Sequence, residues 1–147
     1  MTLICILKGA FIFLADLVRN ILIPLKVEFV GLSSYGSNSQ SLGEIRVTKD
    51  IQFVIKGKDV ILVEDIIDTG LTIAYLRDRI AAENPNSLRI CVLIDKEERR
   101  EVDIKADYAG FRLEEGFVVG YGLDFDERYR QLPDIWRIVD KLEIRPK

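Results

Sequence analysis

The chain has 147 residues, 48% hydrophobic and 31% charged, with a net charge of -3, which suits one globular domain with its own core and argues against a general nucleic-acid or membrane surface. It contains no histidine, so Ser-His triads, histidine acid–base chemistry and His-ligated zinc are excluded. Its two cysteines, Cys5 and Cys91, lie in separate apolar runs and read as small core residues of a protein kept in a reducing compartment.

Leu3 to Leu7 reads as a buried strand, Lys8-Gly9 as a turn and Ala10 to Asn20 as a helix. The apolar stretch Leu3–Val18 is broken by Lys8, Gly9 and Asp16 and is too short to span a bilayer. With no basic leader or small-residue cleavage pattern, it implies a soluble, cytosolic protein. Val27 to Leu32 is the next strand. Ser33 to Gly43 holds five serines, two glycines and no charge, the composition of a mobile loop. Glu44–Asp50 and Gln52–Ile55 alternate like strands, and Lys56-Gly57-Lys58-Asp59 is a turn.

Val60-Ile61-Leu62-Val63 is a further buried strand, and Glu64 and Asp65 stand where it ends. Asp68 then opens a Thr69-Gly70-Leu71-Thr72 turn, with a helix over Thr72–Glu83. Ligands of open α/β sheets bind beyond the carboxyl ends of strands, and a glycine with two hydroxyls at a helix start is a ready phosphate cradle. Carboxylates beside a phosphate cradle make sense if they bind sugar hydroxyls or a metal ion on the same ligand, which points to a sugar phosphate. Leu71 stands where a Walker loop needs lysine, so nucleoside-triphosphate hydrolysis is not implied.

Leu88–Ile94 is another buried strand, and Asp95–Lys105 reads as a solvated charged loop. Phe117–Tyr121 is a short late strand, and Phe125–Leu132 has the look of a helical turn. Strands alternating with helices imply an α/β fold with a mainly parallel central sheet. No repeat, linker or boundary divides residues 1–147, so a single domain is expected.

The Glu64-Asp65-Ile66-Ile67-Asp68-Thr69-Gly70 segment resembles the phosphoribosyl-pyrophosphate (PRPP) signature of the type I phosphoribosyltransferases, in the form seen in the hypoxanthine-guanine branch. The resemblance runs from Leu7 to about Pro133. It implies purine salvage: transfer of the 5-phosphoribosyl group from PRPP to N9 of hypoxanthine or guanine, giving IMP or GMP and pyrophosphate, with Mg²⁺ as cofactor. Glu64 and Asp65 would bind the ribose hydroxyls, directly or through Mg²⁺; Ile67 and Asp68 to Thr72 would hold the 5-phosphate. Asp68 would be the catalytic proton partner of the purine N7. Leu7, Lys8 and Gly9 would form a pyrophosphate loop whose Leu7–Lys8 peptide switches between cis and trans, with Arg130 as a further pyrophosphate contact. Ser34 and Tyr35, in a loop over about 33–44, would cover the reacting centre and exclude water.

For the base, the resemblance implies that Lys96 donates to the carbonyl of a 6-oxopurine, Phe117 stacks on the ring and the Val118 backbone reads its edge. Asp124 would be a further contact to Mg²⁺ at the purine end. Members of the family form dimers and tetramers, so a homodimer or homotetramer is expected, with no nucleic-acid or membrane partner. Family members usually carry a helix and a strand ahead of the Leu-Lys-Gly turn. Here that turn falls at residue seven, which implies either a misassigned start codon or a shortened form, with an incomplete hood in the base-binding region over about 96–147. Two other readings of the residues are a catalytically weak regulator that binds nucleotide and RNA, and a phosphoacceptor signalling domain. The mixed charge of Lys96–Arg100 gives the first no basic face. The acid pair arrives late in the chain for the second.

Overall fold

The computed structural model describes residues 1–35, 44–52 and 54–139. In chain order the elements are β1 (Thr2–Leu7), α1 (Phe11–Arg19), β2 (Lys26–Tyr35), β3 (Glu44–Lys49), β4 (Asp59–Ile67), α2 (Leu71–Ala82), β5 (Ser87–Lys96), β6 (Tyr108–Leu113), β7 (Phe117–Val119) and β8 (Trp136–Ile138). Six strands form one sheet in the order β3-β2-β1-β4-β5-β6, and β7 and β8 form a separate antiparallel pair. Every neighbouring pair in the large sheet is parallel except β2 with β3. This is the expected mainly parallel architecture.

The unbroken apolar runs are the central strands, buried on both faces. Side-chain alternation along β1 sends Ile4 and Ile6 to the layer containing α2, and Leu3 and Cys5 to the layer containing α1. Neighbouring Leu62 and Val63 on β4 divide the same way. Helix α2 buries Ile73, Leu76 and Ile80, one stripe of a 3.6-residue period. Among the described residues no helix is long and apolar enough to cross a membrane.

The chain leaves β1 for β2 on one side and leaves β4 for β5 on the other, so the strand order reverses between β1 and β4. Cys5 stands opposite Val63, which brings the carboxyl ends of both strands together. Open α/β sheets bind ligands at such a reversal.

Several expected elements differ. β2 extends through Ser33, Ser34 and Tyr35, whose backbones pair with Arg46, Ile45 and Glu44, so the loop begins later than composition suggested. Gln52, Val54 and Ile55 are not in a strand; Ile55 is buried as a cap on the core without ladder pairing. Strand β6 was not foreseen, since its residues are almost all exposed and carry no alternation. Phe125–Leu132 is not helical: Asp126, Glu127 and Tyr129 all have positive φ, which a right-handed helix excludes. The charged run from Asp95 is not a solvated loop throughout, because Asp95 and Lys96 are buried at the end of β5 and Ile104 joins the core.

Candidate functional site

At the reversal point a cleft of about 360 Å³ opens. Leu7, Lys8 and Gly9 line it from the end of β1; Glu64, Asp65, Ile67 and Asp68 from β4 and just beyond; Thr69, Gly70 and Thr72 from the turn into α2; and Asp124 and Arg130 from the segment after β7. Twelve residues singled out in the sequence therefore meet in one place, although they come from three separate stretches of chain. Leu71 does not line the cleft and is partly exposed at the start of α2.

The wall nearest β1 is built by close approach. The Leu7–Lys8 peptide is cis. A Cβ placed on Gly9 would lie 1.6 Å from Asp65 Oδ2, so the Asp65 carboxylate rests against the bare Cα of Gly9. Glu64 is buried beside it and accepts a hydrogen bond from the Asp65 amide at 3.3 Å. Burial, and then the neighbouring Asp65 charge, push the Glu64 carboxyl well above the usual carboxylate range. Burial, with further contributions from Glu64 and Asp65, pushes the Cys5 thiol beneath them up to about 12. Cys5 is a core residue and not a nucleophile.

The opposite wall is the turn over Thr69–Thr72. Gly70 is the N-cap of α2 with φ of 85°. Thr69 Oγ1 accepts from the Leu71 amide at 3.4 Å, tightening the turn. Thr69, Gly70, Thr72 and Ile73 line the cleft at the helix start, and the first N–H groups of a helix favour an anion.

Two buried atoms in this cleft have no hydrogen-bond partner: Asp68 Oδ1, an acceptor, and Arg130 Nε, a donor. Asp68 Oδ2 is 3.2 Å from the Arg99 guanidinium, and Oδ1 is 3.7 Å from Lys96 Nζ. Arg130 pairs with Asp124 at 3.0 Å and donates to the Gly122 carbonyl at 2.9 Å. Lys8 Nζ pairs with Glu127 at 2.9 Å, and Glu127 also lies 3.4 Å from Arg130. Both cations expected to meet pyrophosphate thus share one exposed carboxylate.

The expected base contacts are less closely gathered. Lys96 is not a surface residue: it is 6% exposed and paired with Glu98 at 2.9 Å as well as approaching Asp68. Phe117 is half-exposed and meets Phe125 edge-on, with ring centroids 5.5 Å apart. Val118 pairs with Arg137 across β7 and β8. Val118 lines a larger apolar groove of about 790 Å³ beneath β5, β6 and the β7–β8 pair, outside the cleft between β1 and β4. Ser34 and Tyr35 end β2, and their side chains fall outside the described residues.

Among the described residues no three acids gather closely enough to hold a metal ion by themselves. Glu64 and Asp65 on one side and Asp124 on the other present oxygen ligands to the same cleft. That donor set fits Mg²⁺, which commonly takes one or two carboxylates, completing its shell with substrate phosphates and water.

Sequence reasoning missed Arg99, Arg100 and Glu127. Arg100 donates to the carbonyls of Ile67, Asp68, Lys96 and Ile104 and to the Asp95 carboxylate. The only local signal was the Arg99-Arg100 pair in a mixed charge run, and such runs are usually solvated.

Comparisons with known proteins bear on the family and the fold. The family described as the phosphoribosyl transferase domain matches residues 1–126. A hypoxanthine phosphoribosyltransferase of Salmonella typhimurium is 45% identical over 139 residues, 95% of this chain and 78% of that protein. A hypoxanthine-guanine phosphoribosyltransferase of Aquifex aeolicus is 49% identical, covering 92% of this chain and 76% of that protein. The crystal structure of a hypoxanthine-guanine phosphoribosyltransferase from Bacillus anthracis superposes with a TM-score of 0.88 at 46% identity, covering 94% of this chain and 81% of the other.

Proposed function

Because the chain belongs to the phosphoribosyltransferase family, in its hypoxanthine and hypoxanthine-guanine branch, we propose that it transfers the 5-phosphoribosyl group of PRPP to N9 of a 6-oxopurine in purine salvage. The products would be IMP or GMP and pyrophosphate. The observation that carries this reading is the pair of unpartnered atoms in one cleft. Arg130 Nε is a donor that would take an anionic oxygen, and Asp68 Oδ1, which Lys96 Nζ approaches only to 3.7 Å, is an acceptor that would take an N–H. A diphosphate and a purine bound together supply both partners.

In this reading the amides of Asp68–Thr72 and the Thr69 and Thr72 hydroxyls bind the 5-phosphate. Glu64 and Asp65 bind the ribose hydroxyls, and Lys8, Gly9 and Arg130 bind the pyrophosphate. Glu64, Asp65 and Asp124 would hold Mg²⁺, which would supply charge neutralisation for the leaving group. The C1–pyrophosphate bond breaks as the N9–C1 bond forms, and Asp68 takes the purine N7 proton. Lys96 leaves Glu98 or shares its protons to donate to the purine O6, with Phe117 against the ring and the Val118 backbone at its edge. Ser34 and Tyr35 shield the cationic centre from water. The chain would be a single domain whose hood includes the β7–β8 pair, and the enzyme would work in the cytosol as a homodimer or homotetramer.

The test is nucleotide formation from PRPP and Mg²⁺ with hypoxanthine, guanine, xanthine or adenine offered singly. IMP or GMP without AMP is the expected outcome. Asp68→Asn should lower turnover by about 100-fold or more while PRPP binding persists. Unchanged turnover in that variant would remove Asp68 from the chemistry, and no product from any base would overturn the reading.

A further inference from the structure

Arg100 lies in the loop that follows β5, in a stretch whose charges suggested solvent. Its side chain is only 18% exposed. Nε donates to the Asp68 carbonyl at 3.2 Å and Nη1 to the Ile104 carbonyl at 2.5 Å. Nη2 reaches the Ile67 carbonyl at 3.4 Å, the Lys96 carbonyl at 3.0 Å and Asp95 Oδ1 at 2.6 Å. Four of these five acceptors are backbone carbonyls. A guanidinium that served only to neutralise Asp95 would have no need of them. Ile67 and Asp68 stand at and just past the carboxyl end of β4, Lys96 at that of β5, and Ile104 in the loop that follows β5. The Glu101 amide adds a bond to the Thr69 carbonyl at 2.9 Å, so the same loop also grips the phosphate turn.

We infer that Arg100 is a positioning residue that holds Asp68 and the phosphate turn in fixed register with Lys96. This rests on the functional reading above, which gives the β4 end to the phosphoribosyl group and Lys96 to the base. The guanidinium fork spans both backbones at once. Lysine could not replace it, because its donors radiate from a single nitrogen on a flexible stem. Bringing two substrates to bonding distance is what such a brace contributes, and a 1 Å error in placement can cost on the order of 100-fold in rate.

Arg100→Lys and Arg100→Met are compared with the parent enzyme for kcat, for KM of PRPP and of the purine, and for thermal unfolding. The lysine variant keeps a charge for Asp95, which preserves the fold should the methionine variant fail to form it. The expected result is a folded lysine variant with kcat reduced about 10- to 100-fold and both KM values raised together. Selectivity for hypoxanthine over adenine should narrow as Lys96 loses its register. Parent-like kcat and KM values in folded lysine variant, or a lowered unfolding temperature with normal kinetics, would overturn the inference and leave Arg100 a structural brace. A parent protein that itself forms no nucleotide would instead overturn the functional reading.

Discussion

Gly70 carries two independent demands that no other residue type meets. Its φ of 85° is left-handed, and a Cβ there would lie 2.7 Å from Ile104 Cγ2 and 2.9 Å from Val102 Cγ2. Gly70→Ala should therefore lose about 1–2 kcal/mol to backbone strain and about 1–3 kcal/mol to crowding, read as a lower urea midpoint with the slope unchanged. Its turn was legible in the sequence because the information is local: Asp68, Thr69, Gly70 and Thr72 shape their own backbone. Lys96 and Arg100 show the converse. Their burial depends on where β4 ends relative to β5, and no window of sequence around residue 100 reports that distance.

Strands β1, β4 and β5 and helix α2 could be read because each carries an apolar run or stripe set by its own burial. Strand β6 could not, for it closes the sheet with Tyr108 and Phe111 exposed and only one covered neighbour. The β2–β3 pair hides a different device. Glu28, 6% exposed, accepts from the Phe29 amide at 2.9 Å, from Lys49 at 2.9 Å and from the Gln52 amide at 3.2 Å, stitching β2 to β3 and the segment after it. Burial alone would raise its pKa, but these hydrogen bonds outweigh it and hold the carboxyl below its ordinary value of 4.5. A depressed folded value means that the stability from Glu28 is fully present above the unfolded pKa and is lost as pH falls through the folded one. Glu28→Gln should thus lower the unfolding temperature at neutral pH and flatten its acid-side decline. Parallel curves for the two proteins in a titration from about pH 6 to about pH 3 would exclude that role.

At the scale of the molecule, the segment after β7 is tied to the core by the Tyr121 hydroxyl on Asp16 of α1 and by Glu127 on Lys8. The Lys8–Glu127 pair is open to water on both sides, and such pairs contribute little to stability. Nearby Lys8 holds the Glu127 carboxyl below its usual range, so the carboxylate is the form present at neutral pH. Glu127→Gln should leave the unfolding temperature unchanged and lower the PRPP concentration at half-saturation, because Lys8 would no longer leave an anion to meet one. An unchanged or higher half-saturation point in steady-state kinetics would show that the two do not compete. The sheet order has another consequence. Thr2–Leu7 is an early piece of chain, yet it lies in the interior of the sheet, flanked by β2 and β4. During synthesis it emerges before residues 60–63 and must wait for them before its second flank is covered. Until then Leu3, Ile4 and Cys5 belong to an open strand edge, the kind of surface that chaperones hold and that neighbouring nascent chains pair with. The second flank of β1 thus stays uncovered until β4 follows it, so the yield of folded protein in a cell should depend on how fast translation carries the chain from β1 to β4.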